Sequence, residues 1–126
     1  MNKWIAFLTS LITLASLEVS AANSNFIQCD GNDFRYDFNF NPDENGKYNG
    51  KFFYTENGAP QVTDFNFLIR SYPREVIAYW PGPTDSPASC TLLKKIFEPR
   101  NVNKIFKVSC LNFNGYEFFM KCRAIR

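Results

Sequence analysis

Four of the six glycines follow asparagine, at Asn45-Gly46, Asn49-Gly50, Asn57-Gly58 and Asn114-Gly115. Asn-Gly is the strongest short-range signal for a tight β-hairpin, because both residues tolerate positive φ. Between these dipeptides lie short aromatic or β-branched runs. Phe34 to Phe40 alternates strictly, with Phe34, Tyr36, Phe38 and Phe40 on one face and Arg35, Asp37 and Asn39 on the wet face. A period of two marks a half-buried strand. Further strands are expected at 47–54, 62–69, 75–80, 91–97, 103–111 and 116–123. No segment holds a 3.6-residue period over three turns. Pro81, Gly82, Pro83 and Pro87 mark a loop before Cys90.

Residues 1–21 read as a secretory signal peptide. Lys3 supplies the positive start, Trp4 to Leu17 is mostly apolar, and Val19-Ser20-Ala21 offers small residues for cleavage. The rival reading is an uncleaved anchor, for which the apolar run is short. The expected mature chain is 22–126, a single domain, secreted and not held in a membrane. A monomer is expected.

All four cysteines, Cys29, Cys90, Cys110 and Cys122, fall in that part. An even count in a small exported chain points to disulfides. Four cysteines allow three pairings, and spacing alone does not choose. A register argument does. If 91–97 and 103–110 form a hairpin with Phe97 opposite Asn103, Cys90 faces Cys110. A two-residue turn at Asn114-Gly115 then puts Cys122 opposite Lys107. This favours Cys90–Cys110 with Cys29–Cys122, the latter tying the domain's ends together for about 4 kcal/mol in the chain-entropy model.

There is no histidine in the 126 residues. That excludes Ser-His-Asp and Cys-His catalysis and histidine-ligated metals. No Cys-x-x-Cys is present either, so no zinc site and no cofactor is expected. Charge is uneven. Residues 22–85 hold five basic and nine acidic residues, and 86–126 hold eight basic and two acidic. A basic second half favours a polyanion or an acidic protein surface. Ordinary solvent-facing strand lysines that discourage edge pairing are the plainer explanation.

Several pieces of the chain, in order from Phe26 to Cys122, resemble the small guanyl-specific ribonucleases of fungi. They are more similar to the ribonuclease-like secreted effectors of cereal powdery mildews. These pieces are Phe26-Ile27-Gln28-Cys29-Asp30-Gly31-Asn32-Asp33-Phe34, Asp64-Phe65-Asn66-Phe67, Ala78-Tyr79-Trp80-Pro81, Leu92-Leu93-Lys94-Lys95-Ile96-Phe97 and the Gly115, Phe119, Cys122 ending. The resemblance implies an α+β, mostly β domain: a twisted antiparallel sheet with at most one short helix, stapled by disulfides. It also implies a bond between the early and final cysteines. Where the enzymes carry their general base this chain has Tyr79, and a phenol with an ordinary pKa of about 10 is a poor base at neutral pH. The family's two histidines would fall near Glu56 and Cys110. The implied function is a pathogen effector that has lost catalysis and binds a host protein or RNA, with entry into host cells left open. Candidate contacts are Tyr79, Lys94, Lys95, Arg100, Lys104 and Lys107, with Trp80 as a second stacking ring. Two other readings compete. One is a residual nuclease using Glu56 or Glu75 with Lys94. The other is a secreted inhibitor or toxin-like binding protein with no nucleic-acid role.

Overall fold

The computed structural model describes residues 25–81 and 87–126. The expected signal peptide at 1–21 and residues 82–86 of the proline-rich loop lie outside the described residues. Eight strands follow in order: β1 Phe26–Asp30, β2 Phe34–Asn39, β3 Tyr48–Glu56, β4 Ala59–Ser71, β5 Glu75–Trp80, β6 Ala88–Leu93, β7 Phe106–Leu111 and β8 Glu117–Ile125. Each pairs antiparallel with the next, and β8 pairs with β1, so the sheet closes into a barrel. We call the end where β1, β3, β5 and β7 begin the lower end.

The asparagine-glycine pairs do three different things. At Asn57-Gly58 both φ angles are positive, 53° and 79°, and Glu56 pairs with Ala59. This is the two-residue turn that the dipeptide predicts. Asn45-Gly46 and Asn114-Gly115 instead end three-residue loops. Asp43 Oδ1 accepts the N–H groups of Asn45 and Lys47 at 2.8 and 3.0 Å. Asn112 Oδ1 does the same for Asn114 and Tyr116 at 2.9 and 3.0 Å. The extra residue shifts the β7–β8 register by one, so Cys122 faces Phe106 and not Lys107. Asn49-Gly50 is no turn at all. It lies inside β3, where a Cβ on Gly50 would come 2.5 Å from the Phe65 ring. Glycine there lets an aromatic ring lie flat on the neighbouring strand.

Alternation fills the barrel with rings. Tyr36 and Phe38 on β2, Phe65 on β4 and Trp80 on β5 meet in the centre, with the first three 5.3, 5.6 and 5.2 Å from the Trp80 ring. Ile27, Phe67, Leu92, Val108 and Met120 are buried around them. Both disulfides sit inside this wall. Cys29–Cys122 bridges β1 and β8, and Cys90–Cys110 bridges β6 and β7 at directly opposed positions. The β6–β7 connection closes the lower end. Ile96 is buried there, Phe97 packs 4.9 Å from the Phe40 ring, and buried Asn101 donates from Nδ2 to the Lys95 carbonyl at 2.7 Å.

The expected α+β, ribonuclease-like sheet is therefore replaced by an all-antiparallel closed barrel. The described residues contain no α-helix; Lys94–Phe97 and Pro99–Asn101 are short 3-10 helices. The physical reason is that Phe34–Asn39 spends its aromatic face as β2, where the resemblance would place a helix packed on an open sheet. The first and last strands then cover each other's edges, and no helix is needed to cover the sheet. The strand expected at 91–97 stops at Leu93, because the chain turns inward to bury Ile96.

The two bridges close loops of 93 and 20 residues. In the chain-entropy model the longer loop is worth about 1.4 kcal/mol more. Replacing Cys29 and Cys122 together by alanine should therefore lower the unfolding free energy by about that much more than replacing Cys90 and Cys110. Equilibrium urea unfolding of the two double variants checks this.

Candidate binding surfaces

With rings filling the barrel, the groups available for recognition are on its outside. The six candidate contacts do not form one cluster. Lys94 and Lys95 lie on the first 3-10 helix, Arg100 on the second, and Lys104 on the segment leading into β7. The Lys94 N–H donates to the Arg74 carbonyl at 2.9 Å, and the Asn103 N–H to the Ala124 carbonyl at 2.8 Å. These bonds bring Arg74, and the β8 end with Arg123 and Arg126, to the same lower end. Arg100 is held by Glu98 at 2.9 Å. Lys107 stands on the outer face of β7, its Nζ 4.3 Å from the centre of the Phe119 ring. Tyr79 is apart from the basic end. It lies four residues above Glu75, whose partner is Leu93, roughly 13 Å at about 3.3 Å per residue. Trp80, its neighbour, is core.

Around Tyr79 the outer wall sets large apolar side chains among small polar ones. Leu68 opposes Tyr79, Tyr79 opposes Ser89, and Ser89 opposes Leu111. In the next row Ile77 opposes Thr91, Thr91 opposes Ser109, and Ser109 opposes Phe119. Leu68, Leu93, Ile105, Leu111 and Phe119 are between 44% and 61% exposed. Arg70 lies over the Tyr79 ring at 5.6 Å, and hydrogen bonding to Tyr79 and then Tyr72 raises its guanidinium pKa. The sequence reading did not single out these apolar residues. Their signal was the doublets Phe67-Leu68, Leu92-Leu93 and Phe118-Phe119, which put a large apolar side chain on both faces of a strand.

The outer face of β1–β4 has a different chemistry. Asn39, Asn49 and Asn66 oppose one another in one row, and Asp37, Lys51 and Asp64 in the next. With Phe26 they line a groove of about 410 Å³. Asp37, expected on the wet face, is only 8% exposed. Arg35 lies beside it, with Nε 3.1 Å from Oδ1 and Nη2 donating to Oδ2 at 3.3 Å, and its guanidinium covers the Phe53 ring at 4.0 Å. Burial pushes the Asp37 pKa up, and the neighbouring Arg35 offsets this only in part.

Of the residual-nuclease residues, only the Glu75 alternative lies near Lys94, since Glu75 pairs with Leu93. Glu56 ends β3 at the upper end, while Glu75 and Lys94 are at the lower end. Among the described residues no three Cys, Asp or Glu side chains are grouped to hold a metal ion, and no helix is long and apolar enough to cross a membrane. No protein-family model, curated protein or solved structure matches the chain.

Because the folded-state pKa of Asp37 is raised, its contribution to stability falls as pH rises. The fall begins near the unfolded carboxylate value of about 3.9 and continues through the raised folded value. Asp37→Asn should remove this component, so that stability falls less, or rises more, than in the parent as pH is raised from about 3.9 to neutrality. Thermal unfolding of both proteins across that range checks it.

Proposed function

We propose that this chain is an exported binding protein, and that its β4–β8 wall and basic lower end dock on an acidic, partly apolar face of another protein. In the setting expected from the sequence, that partner belongs to a host. The observation that carries this reading is the apolar wall itself. Leu68, Leu93, Leu111 and Phe119 stand exposed on adjoining strands, beside Arg70, Tyr79 and Lys107. Several large apolar side chains exposed on one face of a domain, rimmed by polar ones, suit an interaction site. Tyrosine and arginine set among apolar side chains are typical anchors of protein interfaces. Lys94, Lys95 and Lys104 below the wall add a positive rim that would steer an acidic partner.

RNA is a weaker fit to the same geometry. Single-strand binders interleave cations with stacking rings. Here the main cation group is at the barrel end, and Tyr79 is up the wall with Arg70 over it. The scaffold part of the original expectation is dropped. The absence of histidine still excludes histidine-dependent chemistry, but it no longer counts as catalytic positions lost from an enzyme's fold. A secreted inhibitor would use the same wall, and the identity of the partner would separate the two.

The test is affinity capture with the full chain, with and without nuclease, followed by titration of the captured partner. A protein partner should survive nuclease, bind more weakly as salt is raised, and lose at least about tenfold in affinity, about 1.4 kcal/mol, with Phe119→Glu or Leu111→Glu. Capture abolished by nuclease would replace the protein reading by RNA. Binding indifferent to both substitutions would reject the wall.

A further inference from the structure

We propose that the groove on the outer face of β1–β4 is a saccharide-binding site, specific for a short neutral oligosaccharide. The proposal goes beyond the protein-docking reading and does not depend on it, since it uses other residues, on an outer face that meets the wall only along β4.

The chemistry of the lining selects the ligand class. Three carboxamides stand in one cross-strand row, at Asn39, Asn49 and Asn66. A carboxamide carries a donor pair and an acceptor side by side. Set in a row, such groups offer both donors and acceptors to sugar hydroxyls, each of which gives and takes a hydrogen bond. The next row adds Asp64 as an acceptor and Lys51 as a donor. Phe26 also lines the groove and adds an apolar side chain for the C–H side of a sugar.

The groups are also held in place before any ligand arrives. Asn66 Nδ2 donates to Asn49 Oδ1 at 2.7 Å and to the Tyr48 carbonyl at 3.2 Å, which leaves Asn66 Oδ1 to accept. Asn49 Nδ2 donates to Asp43 Oδ2 at 3.1 Å. Asn39 Oδ1 takes the Asn41 N–H at 3.0 Å, which leaves its Nδ2 to donate. Lys51 Nζ and Asp64 Oδ1 are 2.8 Å apart, so each is oriented and still has hydrogen-bonding capacity in reserve. Exposed amides and lysines normally lose rotamer freedom on binding, and ordering them beforehand removes much of that cost.

Other ligand classes fit less well. A polyanion would meet Asp37 and Asp64 against one lysine. A metal ion would have to displace Arg35 from Asp37 and Lys51 from Asp64. An apolar molecule would desolvate the remaining free Nδ2 of Asn39 and Oδ1 of Asn66 without pairing them. The groove's volume of about 410 Å³ lies within the usual range for small-ligand sites, about 300–1,000 Å³.

The test is calorimetric titration of the full chain with a panel of neutral glucose, galactose, mannose and N-acetylglucosamine oligomers. Asn49→Ala and Asn66→Ala are the groove variants, and circular dichroism checks that each remains folded. Phe119→Glu, on the docking wall, is the control. At least one oligomer should bind saturably, lose at least about tenfold in affinity in both groove variants, and bind the control variant as it binds the parent. No saturable binding by any member of the panel at about 10 mM would overturn the proposal. So would binding that both groove variants leave unchanged. Loss of protein capture in Phe119→Glu with saccharide binding intact would separate the two surfaces.

Discussion

Everything in this barrel depends on the seam between β1 and β8. A seven-turn meander of strands leaves two edges with unpaired N–H and C=O groups, and an edge is an invitation to pair with another chain. Here the two edges satisfy one another from Phe26 opposite Ile125 to Asp30 opposite Lys121. Closure also makes the inside of the sheet a sealed space, and the inward rings of Tyr36, Phe38, Phe65, Phe67 and Trp80 supply much of the volume that fills it. Cys29–Cys122 sits in the middle of the seam, both residues buried, and fixes the register that backbone pairing alone could let slip.

Much of this was legible in the residues. The aromatic face of Phe34 to Phe40 and most strand positions followed from alternation. The register of Cys90 against Cys110 was read correctly although Phe97 and Asn103 do not pair, and Cys29–Cys122 followed by elimination and from the resemblance. The errors have local causes. Asx side chains at Asp43 and Asn112 cap three-residue loops that the Asn-Gly dipeptide alone does not distinguish from two-residue turns. Gly50 is read by Phe65, a residue fifteen positions away, and no window around Asn49-Gly50 contains that ring. Barrel closure is a property of the last strand meeting the first, so no local pattern states it, and resemblance to an open-sheet family pointed the other way. The candidate surfaces were less legible still. The basic residues of the 94–104 connection could be seen as a group, but the asparagine row comes from three different strands, and the apolar wall from five.

In an up-and-down barrel, position along the chain is position around the circumference. The charge imbalance between the two halves of the sequence therefore becomes an imbalance between two sides. β1 to β5 come from the acidic half and carry the amide-lined groove. β6 to β8 come from the basic half, and with β4 and β5 they make the apolar wall. One scaffold thus presents two surfaces of unlike chemistry that meet along the outer face of β4, where Asn66 belongs to one and Leu68 to the other.

The seam also means that the barrel has no privileged starting point. Every ladder but one joins neighbours in sequence, and that one lies where Phe26 and Ile125 already face each other. If a short linker joined those ends and the chain were opened at Asn57-Gly58, the circle of strands would be unchanged. The Cys29–Cys122 bridge would then change character without moving an atom. It would cease to be the longest-range link in the protein and become an ordinary clasp across a hairpin. Its entropic weight belongs to the order in which the chain happens to be strung, not to the place it occupies in space.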